Sequence, residues 1–456
     1  MNLESNSPDR RGESRRSFIK KTATLAAVTS ATSVLRPTVY GQSPSVNVVG
    51  ANNRLVIGVI GTGKQGTEHL KIFKNEASAK NIVVDAVCDL YQKHLDGAKK
   101  FMDLEDAKGF ADHRKLLERK DIDAVLIATV DNWHAQCSLD ALDAGKHVYC
   151  EKPMTRYAAE CWEVYDKVKS TKKVYQCGSQ FTADPMVHKV AEWVRVGKLG
   201  PLVWAQGSYC RNNKNNDEWE FPVDNDASSA NLDWERWQGR AKKMPWSAEA
   251  AHRYFSWHKY YDYNSGILGN LLSHRFYPLL LATGNPEFPR RVVCTGTRKV
   301  STNREISDTT HVLAEFPSGL TFVIAGSTVN QQGFPDVIRG RKGTVTLAGN
   351  SNAADYKPEA LFSEEFGPEE FKSAAPFGKM ENLHANFYDC IRNGGTPFCN
   401  VDLAVRANTV LCLAEMSDRL GMTLFFDEKT RAIKTGDGRT LPPLSYDTTV
   451  PPPPVV

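Results

Sequence analysis

The sequence predicts an α/β fold that opens on a doubly wound parallel sheet and continues into a second domain built on a hairpin-connected sheet. Three observations carry that expectation. Leu55 to Ile60 is a short apolar run rich in Val and Ile, followed at once by Gly61-x-Gly63-x-x-Gly66. From there to Cys177, apolar strand-like runs alternate with helical stretches, which indicates a parallel sheet covered on both faces. Beyond residue 290 the pattern becomes short strands separated by turn residues such as Pro317-Ser318-Gly319, in the hairpin manner.

At 456 residues the chain exceeds one ordinary domain, so two are expected. No apolar run approaches the length of a bilayer-crossing helix, which excludes a polytopic membrane protein. The N-terminus is distinctive. Ser14-Arg15-Arg16-Ser17-Phe18-Ile19-Lys20 precedes a mildly apolar stretch from Thr22 to Leu35, the pattern of a twin-arginine export signal over residues 1–41, with a linker over 42–53. There is no clean Ala-x-Ala cleavage site, so an uncleaved membrane tether stays open. The protein is expected to pass through the twin-arginine machinery to the periplasm or another extracytoplasmic space. Residues 1–41 carry seven basic and three acidic side chains, a net of +4 that equals the whole chain's +4. The remainder is close to neutral, so the pI of 8.4 is no argument for a nucleic-acid partner. Ten cysteines without a Cys-x-x-Cys pair or zinc spacing predict mostly free thiols and no metal.

The glycine turn suits a dinucleotide pyrophosphate. Gly61 permits the tight turn, Gly63 lets backbone approach the phosphates, and Gly66 lets helix and strand pack closely. Thr62, Lys64 and Gln65 complete the cradle, and the phosphates sit on free N–H groups at a helix N-terminus. The second strand, Ile82 to Cys88, ends at Asp89, 23 positions beyond Gly66. A carboxylate there accepts hydrogen bonds from an adenine ribose and repels a 2′-phosphate, which favours NAD over NADP. Helices are expected at 91–104, 113–118, 135–144 and 158–170, and strands at 123–129, 147–150 and 174–177. After His147-Val148-Tyr149-Cys150 comes Glu151-Lys152-Pro153, at the carboxyl edge of a parallel strand, where ligands bind in open α/β sheets. A lysine at that edge can hydrogen-bond a substrate hydroxyl and help move its proton as hydride leaves carbon.

With Glu151-Lys152-Pro153 in view, the run from Asp131-Asn132-Trp133-His134-Ala135 through Ala144-Gly145-Lys146-His147 to Pro153 resembles the Gfo/Idh/MocA family, the glucose–fructose oxidoreductase and inositol dehydrogenase relatives. The resemblance spans residues 54–430. It implies a Rossmann domain over 54–178, then an α+β domain over 179–430 whose open, mostly antiparallel sheet carries the substrate pocket. It also implies NAD(P), a cofactor set that includes Asn132, His134, Glu151 and Lys152, a Lys152 that serves both nicotinamide and substrate, and a homo-oligomer joined through the open sheet face.

In the second half, Asp184-Pro185 starts a crossover helix that stops at Gly197, and Leu202 to Tyr209 is a strand. Residues 211–232 are polar and read as a long loop. Nine Trp, Tyr and Phe side chains then fall between Trp234 and Tyr263, and aromatic faces suit a sugar or cyclitol. Gln180, Tyr254, Trp257, Tyr263, Asn270 and His274 form the candidate substrate set. Asn270 and His274 lie four apart and share one helical face. His274 has the chemistry of a general base, whereas Asn270, where relatives carry Asp, can hydrogen-bond but not relay a proton. A meander is expected from strands at 291–300, 309–316, 321–327, 336–339 and 344–347. A loop over 350–380 and helices at 381–393 and 402–420 follow, and the family resemblance implies that the first of these helices brings His384 toward the cleft. Residues 431–456 read as a tail, extended and disordered from Ser445.

The expected function is an exported oxidoreductase that moves a hydride between NAD and a hydroxyl-bearing carbon of a sugar, sugar derivative or cyclitol, with Lys152 and His274 as catalytic residues. Free NAD is scarce outside the cytoplasm, so a tightly bound cofactor is expected. The same residues suit a glycoside hydrolase or lyase that oxidises transiently, eliminates and re-reduces. A non-catalytic sugar-binding protein is the third reading.

Overall fold

In the computed structural model the described residues are 53–214, 218–450, 452 and 455. The export signal expected at 1–41, and all but the last residue of the expected linker, lie outside them.

The first half alternates without a break: β1 (Leu55–Ile60), α1 (Lys64–Lys80), β2 (Ile82–Cys88), α2 (Gln92–Met102), β3 (Gly109–Phe110), α3 (His113–Leu117), β4 (Ala124–Ile127), α4 (Asp131–Asp143), β5 (His147–Glu151), α5 (Ala158–Thr171) and β6 (Tyr175–Gly178). The sheet runs β3-β2-β1-β4-β5-β6, and every pair is parallel. Ala124–Ile127 is buried on both faces, which is why these strands read as continuous apolar runs. Strand order reverses between β1 and β4, and that switch point opens the crevice in which such sheets bind ligands.

A short 3-10 turn at Gln180–Ala183 leads into α6 (Pro185–Arg195), with Pro185 in the first turn, where its missing N–H costs nothing. Then come β7 (Leu202–Cys210), α7 (Trp234–Trp237), α8 (Ala248–Phe255), α9 (Ser273–Ala282), β8 (Arg291–Thr297), β9 (Thr309–Glu315), β10 (Thr321–Ser327), β11 (Asp336–Gly340), β12 (Gly343–Leu347), β13 (Ala353–Pro358), β14 (Glu369–Lys372), α10 (Met380–Asn393), α11 (Val401–Leu420), β15 (Leu424–Asp427), β16 (Ala432–Lys434) and β17 (Thr440–Leu441). They build a second, mixed and mostly antiparallel sheet of order β14-β13-β12-β11-β7-β10-β9-β8-β15-β16-β17. Helix α11 is buried over most of its circumference, as a helix that packs on several neighbours must be. Its Glu415 receives two hydrogen bonds from the buried Arg156 guanidinium, at 2.7 and 2.9 Å.

Three expectations change. The meander is interrupted, because β7 enters between β10 and β11 and pairs parallel with β10. Local turn signals cannot reveal a strand delivered by a distant crossover. Residues 350–380 hold β13 and β14 rather than a loop. These outer strands are rich in charge (Asp355, Lys357, Glu369, Glu370, Lys372), which keeps a sheet edge from pairing with other chains and erases the apolar alternation. The sheet also continues past residue 430 through β16 and β17. The segment after Ser445 is anchored: the Tyr446 hydroxyl donates to Glu160 Oε1 at 3.0 Å, its ring meets Tyr157 edge-on at 4.8 Å, and Arg419 donates to the Val450 carbonyl at 2.6 Å.

Candidate functional site

The glycine turn is shaped as a phosphate cradle. Gly61 has φ +87°, and a Cβ there would lie 2.6 Å from the Ala128 carbonyl oxygen. A Cβ on Gly66 would lie 2.0 Å from Gly61 O, whereas one on Gly63 would meet nothing nearer than His94, 3.7 Å away. Backbone can therefore approach a pyrophosphate at Gly63 while Gly66 seals helix against strand. The first turn of α1 carries no acidic residue, which leaves its N-terminal field available for an anion. Asp89 is bound to the same turn: Oδ2 accepts the Thr62 N–H at 2.7 Å and the Thr62 hydroxyl at 3.1 Å, and Oδ1 accepts the Tyr91 N–H at 2.9 Å. Burial raises its carboxyl, but His94 and these N–H groups outweigh that and lower it. A carboxylate has about four lone-pair sites, so capacity remains for ribose hydroxyls. These residues fit a nicotinamide dinucleotide.

At the carboxyl edge of β5 the expected residues assemble in part. Lys152, joined to Pro153 by a cis peptide bond, extends Nζ to Asn270 and donates to its carbonyl at 3.1 Å and its Oδ1 at 3.2 Å. Asn270 lies in a π-helical turn, Leu268–Leu272, that runs directly into α9; such turns recur at functional sites. His274 follows one turn on. Its ring stacks on Tyr209 at 5.6 Å and meets Phe181 edge-on at 5.7 Å, and its Nδ1 is buried with no hydrogen-bond partner. Burial, then the charges of Lys152, Arg211 and Arg275, push His274 well below the ordinary histidine range. It is a neutral base facing a fixed ammonium.

Other candidates fall elsewhere. Glu151 turns away from the crevice, with Oε1 2.8 Å from His69 Nε2 and Oε2 accepting the Lys152 N–H at 3.2 Å. Gln65 donates to the same carboxylate at 3.3 Å, while the Lys64 ammonium lies over the Phe221 ring. His134 directs Nδ1 at the Pro153 carbonyl (2.7 Å) and Nε2 at the Thr129 carbonyl (3.3 Å), which clamps the Lys152–Pro153 turn to the loop after β4. Asn132 donates to Gln238 O at 3.1 Å. Gln180 begins the turn that presents Phe181 to His274. Tyr254 reaches the opposite end of the crevice, its hydroxyl 3.4 Å from His94 Nδ1, itself 3.8 Å from Asp89. Tyr263 is fully buried against Trp237, with ring centroids 4.7 Å apart. Trp257 stacks on His258 at 3.8 Å. His384 is buried on His69 at 2.9 Å rather than lining the crevice.

Sequence reasoning missed His258, Phe181, Tyr209 and Arg211. His258 is layered between Trp257 and Trp219, and its Nδ1 is buried without a partner. Burial and the charges of Lys152, Lys64 and Arg211 push it down to about 3, so it faces the same cationic crevice. No spacing rule singles it out of an aromatic run. Arg211 donates to the Tyr209 hydroxyl and to Glu218, both at 3.0 Å.

Comparison with known proteins agrees with this geometry. Residues 55–179 match the family model described as "Oxidoreductase family, NAD-binding Rossmann fold", and residues 221–440 match "Oxidoreductase family, C-terminal alpha/beta domain", both of the GFO/IDH/MocA set. Among solved structures, a levoglucosan dehydrogenase in complex with NADH and levoglucosan aligns with TM-score 0.64 at 17% identity, over 82% of this chain and 99% of that one. An aldose-aldose oxidoreductase from Caulobacter crescentus aligns with TM-score 0.60 at 18% identity, over 82% of this chain and 100% of that one. Among curated relatives, glycosyl hydrolase family 109 protein 1 of Shewanella sp. (strain ANA-3) is 29% identical over 196 residues, 41% of this chain and 42% of the relative. The alpha-N-acetylgalactosaminidase of Shewanella oneidensis is 28% identical over 196 residues, with the same coverage of both chains. The matched part thus spans about two fifths of those relatives.

Proposed function

The chain belongs to the Gfo/Idh/MocA oxidoreductase family, and from that premise we propose that it is an NAD-dependent oxidoreductase acting on a hydroxyl-bearing carbon of a sugar, sugar derivative or cyclitol. The observation that carries the reading is the pairing at the β5 edge: Lys152 Nζ held on Asn270 and, one turn on, His274 neutral with an uncommitted ring nitrogen. Bound NAD supplies a hydride acceptor. The protein's residues do the rest. His274 takes the hydroxyl proton, Lys152 donates a hydrogen bond to the same oxygen as it becomes a carbonyl, and Asn270 fixes Nζ for that task. Phe181, Tyr209 and the Trp257–His258 pair wall the crevice with ring faces suited to the apolar face of a sugar.

Tight retention of NAD is part of the proposal. The segment around residues 224–233 lies across the residues that follow Asp89. Tyr91 bridges Leu232, the Gln92 N–H donates to Asn231 O at 2.8 Å, Asp233 N–H donates to Leu90 O at 3.0 Å, and the Tyr91 hydroxyl donates to Asp224 at 2.9 Å. A strap beside the ribose carboxylate slows nucleotide exit, as an exported enzyme without free NAD requires. Export by the twin-arginine route rests on Arg15-Arg16 and the following segment. A homo-oligomer is proposed through the outer sheet face, where Val293, Leu313 and Val323 form one exposed cross-strand row; light scattering on the purified protein tests it.

A second reading follows from the glycosyl hydrolase family 109 relatives. In it the same pair oxidises a ring carbon transiently, the adjacent acidified C–H permits elimination of the aglycone, and NAD is regenerated within the cycle. Two assays separate the readings. Heat-denatured protein should release one nucleotide per chain, identifiable by mass as NAD. If none is released and added NAD does not bind, both readings fail. NADH accumulation at 340 nm with levoglucosan or simple aldoses marks a dehydrogenase, whereas release of p-nitrophenol from an aryl N-acetylgalactosaminide without NADH accumulation marks the second.

A further inference from the structure

Behind Lys152 lies a buried polar chain that the reaction above does not use. It begins at Glu151, whose side chain crosses toward α1 only because the neighbouring strand carries Gly178: a Cβ there would lie 2.9 Å from Glu151 Cα, Cδ and Oε1. His69, on α1 and wholly buried, meets Glu151 Oε1 through Nε2 at 2.8 Å. Its Nδ1 lies 2.9 Å from Nε2 of His384 on α10, also buried. The groups facing this pair come from three elements. Gln65 lies on α1, its amide nitrogen 3.5 Å from His69 Nε2; Tyr149 and Glu151 lie on β5, and Tyr388 on α10. Tyr149 meets both imidazoles edge-on, at 5.6 and 5.1 Å, and Phe73 stacks on His384 at 5.0 Å. His384 Nδ1, the Tyr149 and Tyr388 hydroxyls and Glu76 Oε2 are buried with no hydrogen-bond partner.

The hydrogen-bond logic is restrictive. An ionised carboxylate only accepts, so His69 Nε2 must carry a proton toward Glu151. One proton then lies between His69 Nδ1 and His384 Nε2. Burial raises the Glu151 carboxyl, but the hydrogen bond and charge of His69, then the charge of Lys152, outweigh it and lower it. Burial and His69 push His384 far down, so it is neutral. A buried carboxylate held at one oxygen by an imidazole and at the other by the Lys152 N–H has little freedom to move. Unmade, such bonds leave desolvated groups buried, the charged ones at the greatest cost.

We propose that His69 and His384 are positioning residues that pin the Glu151 carboxylate beneath the Lys152 turn, so that α10 in the second half of the chain helps to set where Lys152 stands against the nicotinamide. The inference rests on the NAD reading above. Neither histidine touches substrate; both act through Glu151. The single proton between them can shift along the line from His69 Nδ1 to His384 Nε2 without changing the net charge of the pair, so its position would respond to a change of charge at a bound nicotinamide.

The test uses the whole protein loaded with NAD or NADH and labelled with ¹⁵N-histidine. Strongly hydrogen-bonded imidazole protons should appear far downfield, and they should move when NAD is replaced by NADH. His384→Phe keeps the ring volume and removes the hydrogen-bond partner of His69 Nδ1. It should lose the proton between the rings and abolish the redox-linked shift, and His384→Gln should restore part of that shift. A spectrum unchanged in His384→Phe, or one identical with NAD and NADH in the wild type, overturns the proposal; a residue with a merely structural role would show no response to cofactor redox state. If His384→Phe does not fold, the wild-type comparison and His384→Gln still decide. Nucleotide that binds without a spectral response sinks only the positioning role, whereas failure of both nucleotides to bind sinks the function reading with it.

Discussion

Glu160 offers a quantitative test of burial as the dominant influence on a carboxyl. It is 3% exposed, its Oε2 accepts the Tyr157 N–H at 3.0 Å, its Oε1 accepts the Tyr446 hydroxyl at 3.0 Å, and Arg240 lies 3.7 Å away. Burial outweighs those partners and raises the carboxyl from 4.5 to about 7. A carboxyl raised in the folded state binds protons that the unfolded chain releases. Its contribution to stability is therefore full below pH 4.5 and is lost as pH rises through about 7. At about 1.4 kcal/mol per pH unit, that interval amounts to about 3 kcal/mol, most of it between pH 5 and 8. Glu160→Gln keeps an acceptor for the Tyr157 N–H and an amide for the Tyr446 hydroxyl, but does not titrate. In urea unfolding at pH 5, 6, 7 and 8, the wild type minus Glu160→Gln difference should fall by about 2.5 kcal/mol across the series. A difference that is flat, or that rises with pH, would refute the assignment of burial as the dominant influence on Glu160.

Gly66→Ala places a Cβ 2.0 Å from Gly61 O. It should cost about 1–3 kcal/mol through forced separation of α1 from β1 and sharply weaken NADH binding, measured by nucleotide fluorescence; wild-type affinity would contradict the cradle. Lys152→Met should lower kcat by about 10²–10⁴-fold while NADH still binds, and a variant that loses both has lost fold rather than chemistry. Because His274 is depressed well below the ordinary histidine value of 6.5, its basic form persists into mildly acid solution. The acid limb of kcat/KM should therefore lie below pH 6.5, and a limb at or above that value would count against His274 as the base. Asp89→Ser removes the negative charge beside the ribose and should narrow the preference for NAD over NADP, read from the ratio of the two dissociation constants; an unchanged ratio would dissociate Asp89 from nucleotide choice.

The cofactor end was legible because its requirements are local. Gly61, Gly63 and Gly66 answer backbone needs within six residues, and Asp89 follows from the length of one βα unit. The order Glu151-Lys152-Pro153 marks a strand edge, and Asn270-x-x-x-His274 places two side chains a helical turn apart. Those spacings survive folding, except that Asn270 stands in a π-helical turn and His274 in the α-helix that follows it rather than on one regular helix. The aromatic run from Trp234 to Tyr263 was legible only as composition. Its rings divide among Asp89 (Tyr254 through His94), the buried core (Tyr263) and the crevice (Trp257 on His258), and nothing within thirty residues encodes which goes where. The charged outer strands β13 and β14 were hidden for the opposite reason, since a sheet edge is protected by the same residues that mark a loop.

By itself, then, the sequence determined the parallel sheet, the glycine turn and the strand edges that carry Asp89 and Lys152, since each is a short-range consequence of chain geometry. Only tertiary structure decided that β7 lies between β10 and β11, that Tyr446 anchors the C-terminal segment on Glu160, and that Glu151 turns from the crevice to His69 and His384. Those choices join residues from 82 to 315 positions apart, and the long-range burial that selects them leaves no periodic trace in either partner's own segment.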